Sequence, residues 1–142
     1  MSELNMELSS GLAAFEAKHF DKAFKLLSPL ANEGHPEAQY RLGIMYQNGL
    51  GCAPNQNKAL EWMQHAADQG HPYAQHGIGF MYLHGECVDK NEATAMEWFR
   101  KAADQGLTGS QMTIGMMYEQ GLGVAADAEE ARRWYALAEQ SQ

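Results

Sequence analysis

A phrase of 36 residues is written three times in this chain, and that repetition limits its fold more than any other feature. Gly43, Gly79 and Gly115 fall 36 residues apart, as do Tyr46, Tyr82 and Tyr118, and then Gly49, Gly85 and Gly121. The second half of the phrase keeps the spacing through Ala59, Ala95 and Ala131, then Trp62, Trp98 and Trp134, then Ala66, Ala102 and Ala138. A unit of this length cannot bury an apolar face alone, so its copies must stack as helix pairs around a shared core. The expectation is one elongated all-α domain of 142 residues.

Each full copy predicts two antiparallel helices. In the first, Pro36 suits an opening helical turn, where its missing N–H has no partner to lose. Helix A runs over about 36–47 with Ala38, Leu42, Gly43 and Tyr46 on its structural side. Gly49-Leu50-Gly51 turns the chain, and helix B follows over about 56–69 with Ala59, Trp62, Met63, Ala66 and Ala67 facing inward. A glycine inside a helix costs about 1 kcal/mol against alanine. Its recurrence at Gly43, Gly79 and Gly115 predicts a close helix crossing there.

The full units span 34–69, 70–105 and 106–142. Residues 3–33 form a shorter opening unit, with Leu8, Leu12 and Phe15, then Phe20, Ala23, Leu27 and Leu30, at helical spacing around a turn near Lys18. An atypical end unit closes the core of a stacked repeat. Eight helices are expected in all.

Charge narrows the partners. Ten basic against eighteen acidic residues give a net charge of −8, with no Lys/Arg cluster, which argues against a nucleic acid. No zinc-finger spacing is present, and no apolar run of eighteen or more residues could span a membrane. The start, MSELNMELSS, lacks the basic and apolar regions of a secretory signal. The expected location is the cytoplasm, with export after signal removal as the alternative. Cys52 and Cys87 sit in adjacent columns of the inter-helix loops and are expected as free thiols, a disulfide being the alternative.

With Ala38, Leu42, Gly43, Tyr46, Gly49 and Gly51, then Ala59, Trp62, Ala66, Ala67 and Gly70, and their echoes through Gly106 and Trp134, the chain resembles the Sel1-like repeat family. That family is a branch of the tetratricopeptide-like helical repeats, and the opening segment looks tetratricopeptide-like through Gly11, Phe20 and Ala23. The resemblance implies a right-handed α-solenoid that presents a concave face to peptides or proteins. It implies an adaptor with no catalytic constellation and no cofactor. The family's intra-repeat disulfides, placed in the helices of some secreted relatives, have no counterpart here.

If helix A lines the concave face, the residues away from its structural side become the candidate binding groove. They are Glu37, Tyr40, Ile44, Gln47 and Asn48 in the first full unit. The second contributes Tyr73, His76, Phe80, Leu83 and His84, and the third Gly109, Thr113, Met116, Glu119 and Gln120. Aromatic and aliphatic anchors beside amides and imidazoles suit a peptide or helix, which the acidic surface favours as basic. Ile44 and Phe80 are equally consistent with core positions.

Repeated residues serve every copy alike, so the three tryptophans and the column Met45, Met81 and Met117 are read as packing, with the methionines also suited to a partly open binding position. The glycine loops follow no strand and lack the Lys-Ser/Thr of a phosphate-binding loop. A metal held by His76, His84 and Cys87 fails because the histidines lie more than two helical turns apart. No nucleophile stands beside a base and an orienting acid, so no enzyme is expected. The alternative function is structural: self-association through the last helix, where Trp134 and Leu137 lie. A weaker one is hydrolysis of envelope material.

Overall fold

Glycines and side-chain caps place the helix ends. In the computed structural model, which describes residues 3–140, the helices are α1 Glu3–Glu16, α2 Phe20–Asn32, α3 Pro36–Asn48, α4 Gln56–Asp68, α5 Pro72–His84, α6 Glu92–Asp104, α7 Thr108–Gln120 and α8 Ala128–Gln140. Gly49 and Gly121 end α3 and α7 in the left-handed conformation, at φ 68° and 71°. The helices α4, α6 and α8 then start on a side-chain cap, whereas α2 has none at His19. Asn55 Oδ1 accepts from the Lys58 N–H at 3.0 Å, Asn91 Oδ1 from Thr94 N–H at 3.0 Å, and Asp127 Oδ1 from Glu130 N–H at 3.1 Å. Each such cap stabilises its helix by roughly 1 kcal/mol. The cap residues also anchor the loop: their N–H groups donate to the carbonyls of Tyr46, Tyr82 and Tyr118.

The fold is all-α, of the helical-repeat solenoid class, with antiparallel helix pairs and no strand among the described residues. The helices group in two compact units, residues 1–71 and 72–142. In the first, α1 packs on α2, α2 on α3 and α3 on α4. Its core holds Ala23, Leu27, Leu30, Ala38, Leu42 and Met45, with Phe15, Phe20, Phe24 and Trp62 packed against it. In the second, α5 to α8 pack in the same succession around Leu83, Met96, Phe99, Ile114 and Met117.

The close crossing expected at the helical glycines is present. A Cβ on Gly79 would come within 2.8 Å of the Phe99 ring, and one on Gly115 within 2.7 Å of the Tyr135 ring. The loops make a second close approach. A Cβ on Gly51 would run into the carbonyl of Phe20, and one on Gly123 would lie 2.5 Å from the carbonyl of Glu92. The same column holds Cys87, which adopts the left-handed backbone at φ 65°. A side chain there is strained by roughly 1–2 kcal/mol. Cys52 and Cys87 are both free, half-buried thiols.

A recurring amide clasp ties helix ends together within each unit. Gln39 is buried on α3, donates through Nε2 to the Ala31 carbonyl at the end of α2 (3.1 Å), and accepts from Gln69 Nε2 (2.8 Å). One period later Gln75 accepts from Gln105 (2.8 Å), and after another Gln111 donates to the Ala103 carbonyl (3.3 Å). A buried amide is tolerated because the last carbonyls of a helix need a donor. Met45, Met81 and Met117 are fully buried, as packing residues, and so offer no partly open binding position.

Candidate functional site

The first helices of the pairs, α3, α5 and α7, carry the expected binding residues, and their surroundings differ between the two units. In the first unit most of that face is engaged within the chain. Tyr40 stacks on the His71 ring at 4.8 Å and 28°. Glu37 accepts from His71 Nε2 at 2.5 Å and pairs with Arg41 at 3.2 Å. The hydrogen bond from His71 holds the Glu37 carboxyl below its ordinary range, against the opposing pull of burial. Arg41 also pairs with Glu16 at 2.9 Å and lies over the Phe15 ring. Asn48 donates its amide to its own helix at Ile44 O, 3.0 Å, and Ile44 and Gln47 are half-buried.

The second unit is more open. Tyr73 is 56% exposed and Phe80 44%, with the His84 ring 4.2 Å from the Phe80 ring. His76 lies edge-on to Phe99 at 5.1 Å, and its Nδ1 is 2.8 Å from the Ser110 hydroxyl. Burial lowers the His76 pKa, so the neutral ring is favoured. On α7, Met116 is half-buried against the core, while Glu119 and Gln120 are exposed. The Tyr135 hydroxyl lies 3.5 Å from the Glu119 carboxylate.

Two placements change the expected site. Leu83 is only 5% exposed and packs in the core of the second unit, so it leaves the binding face. Its columns elsewhere hold Gln47 and Glu119, and the apolar letter at this copy marks a side chain turned inward. Thr113 is half-buried and its hydroxyl donates to the Gly109 carbonyl at 2.8 Å. The residue in the column of Tyr40 and His76 is Met112, which is 48% exposed. The 36-residue period read from His76 leads straight to it. Exposed apolar side chains on α5 and α7 are thus Tyr73, Phe80 and Met112. These two helices carry one charged residue between them, Glu119.

The first unit has an opening of its own among α2, α3 and α4. It is a notch of about 370 Å³ walled by Phe24, Tyr46 and Trp62, with Ser28, Lys58 and Glu61 around it. Phe24 meets Tyr46 edge-on at 5.7 Å, and Lys58 Nζ lies 5.3 Å from the Tyr46 ring centroid. Trp62 and Trp134 are half-buried against the two cores, consistent with packing, and Lys101 lies over Trp98 at 4.4 Å. Among the described residues no group of three or more His, Cys, Asp or Glu side chains could hold a metal ion. No helix is long and apolar enough to cross a membrane.

Known proteins share this arrangement. The Sel1 repeat matches residues 36–71, 72–107 and 110–141. A solved Sel1 repeat protein from Oxalobacter formigenes is 32% identical, with a TM-score of 0.89 over 96% of this chain and 54% of its own. A protective antigen present in uropathogenic Escherichia coli strains, displaying an SLR fold, is 34% identical, with a TM-score of 0.90 over 97% of this chain and 30% of its own. The chain therefore spans about half the length of the first and under a third of the second. Among curated proteins none matches. Repeats of this kind are non-catalytic scaffolds with a general role in protein–protein interaction. Three matched copies cover most of the sequence, and the chain belongs to the Sel1 repeat family.

Proposed function

We propose that this chain is an adaptor that takes a peptide or helical segment of a partner along the open side of α5 and α7. The observation that carries the reading is the exposure of Tyr73, Phe80 and Met112 on two helices with a single charged residue. Aromatic and methionine side chains are enriched at interface centres, the aromatics because they bury large area for little lost rotamer freedom and methionine because it adapts to the surface it meets. His84 and Gln120 offer polar contacts beside them. A basic segment is favoured: α5 and α7 hold the acid Glu119 and no Lys or Arg.

The test is affinity capture from native lysate with the wild type and a Tyr73→Ala/Phe80→Ala variant side by side, thermal unfolding serving as the check on folding. Loss of specific partners from a folded variant is expected. Retention of every partner would sink the reading.

A second reading is self-association through α8. Leu137 is 41% exposed, and a notch of about 330 Å³ opens beside Met112, Tyr135 and Ala138. Light scattering over a concentration series decides it. A mass that stays monomeric throughout rules it out.

A further inference from the structure

The notch among α2, α3 and α4 has a sister arrangement in the second unit, and the two differ at one telling position. Ser28 and Arg100 are 72 residues apart, twice the repeat period, so they hold the same place on α2 and α6. Tyr46 and Tyr118 correspond in the same way on α3 and α7, as do Trp62 and Trp134 on α4 and α8. In the second unit the Arg100 guanidinium lies 5.8 Å from the Tyr118 ring centroid, and its Nη2 donates to the Tyr118 hydroxyl. In the first unit no cation of α2 lines the notch. The Ser28 hydroxyl turns back to the Phe24 carbonyl at 2.6 Å, and the space beside the Tyr46 ring stays open.

The ionic pair on the rim is reversed. Lys58 and Glu61 stand where Glu130 and Arg133, paired at 3.2 Å, stand in the second unit, so a carboxylate faces the notch where the sister position has a guanidinium. We propose that this notch receives an arginine side chain projecting from a partner polypeptide, its guanidinium taking beside Tyr46 the place that Arg100 takes beside Tyr118. The guanidinium plane stacks on the aromatic walls and its fork of donors reaches the Tyr46 hydroxyl and the Glu61 carboxylate. Lys58 beside the Tyr46 ring shows that the ring attracts a cation. As an exposed, compact and strongly hydrated ammonium, it is the weaker occupant and swings aside. The net charge of −8 speeds approach of such a partner. The notch shares no residue with the Tyr73 and Phe80 site, and the proposal stands or falls independently of it.

The probe is the blocked tripeptide acetyl-Gly-Arg-Gly-amide, with citrulline and lysine versions as controls. Each is titrated into the full chain while the Trp62 indole and Tyr46 ring are followed by NMR. Saturable shifts are expected with arginine, with affinity about tenfold weaker for citrulline, which keeps the shape without the charge. Ser28→Arg, which supplies the missing guanidinium from α2, is expected to abolish the shifts while Tyr73→Ala/Phe80→Ala leaves them unchanged. Glu61→Gln, an exposed substitution, is expected to weaken arginine binding and serves if Ser28→Arg does not fold. No saturable shift, equal affinity for citrulline, or undiminished binding by both folded notch variants would overturn the assignment.

Discussion

His76 on α5 and Ser110 on α7 meet through a hydrogen bond, with Nδ1 2.8 Å from Oγ. Ser110 is fully buried and stands where the two earlier copies carry Ala38 and Ala74, so the third copy has gained a hydroxyl that its neighbour uses. Ser110→Ala restores the common residue yet leaves the half-buried imidazole without this partner. A loss of about 1 kcal/mol is expected in urea unfolding. An unchanged midpoint would show that the bond contributes nothing net.

The same imidazole makes the second unit sensitive to acid. Burial lowers the His76 pKa below its ordinary 6.5, so the unfolded chain takes up a proton before the folded one does. Stability therefore falls as pH drops through about 6.5, by at most about 1.4 kcal/mol per pH unit, until the folded pKa is reached. The groups against His76 are Ser110, Phe99 and Phe80, none of them charged. Unfolding measured between pH 5 and 8 is expected to lose this component of its slope in His76→Asn. An identical slope in the variant assigns the effect elsewhere.

Gly79 and Gly43 occupy one column but face different neighbours. A Cβ on Gly79 would press within 2.8 Å of the fully buried Phe99 ring, whereas at Gly43 the nearest atom is the flexible end of Met63 at 3.0 Å. Overpacking a rigid ring costs about 1–3 kcal/mol, against a helix-propensity gain of about 1 kcal/mol. Gly79→Ala is expected to destabilise, and Gly43→Ala to change stability little. Equal urea midpoints for the two variants would contradict this order.

Cys87 holds a left-handed backbone that its counterparts fill with Gly51 and Gly123. Cys87→Gly removes the side-chain strain but adds freedom to the unfolded chain, for a net gain of roughly 0.5–1 kcal/mol. Differential scanning calorimetry of the reduced protein measures it. A lower melting temperature would mean that contacts of the half-buried sulfur outweigh the strain.

The repeat made the scaffold readable before any coordinates. Gly49, Tyr46 and Ala59 recur because every copy needs the same turn and the same crossing, and periodic letters report such shared needs directly. The glutamines Gln39, Gln75 and Gln111 carried the same signal, since a polar residue kept in one column has a common partner. The candidate face was less readable. Whether Leu83 points outward depends on the side chains of α6 and α7 that meet it, and helix spacing on α5 alone does not contain that information. The notch beside Tyr46 depends on three helices at once, and only a comparison two periods apart, Ser28 with Arg100, brings it into view.

The amide clasps and histidine contacts also bear on how the chain reaches its fold. Gln39 and Gln69, like Gln75 and Gln105, are 30 residues apart, and the longer ties, Glu37 to His71 and His76 to Ser110, span 34. Contacts this near in sequence close small loops, and chains dominated by them fold in microseconds to milliseconds. Most of these ties close within one helix pair or the turn that follows it, so assembly can keep pace with translation.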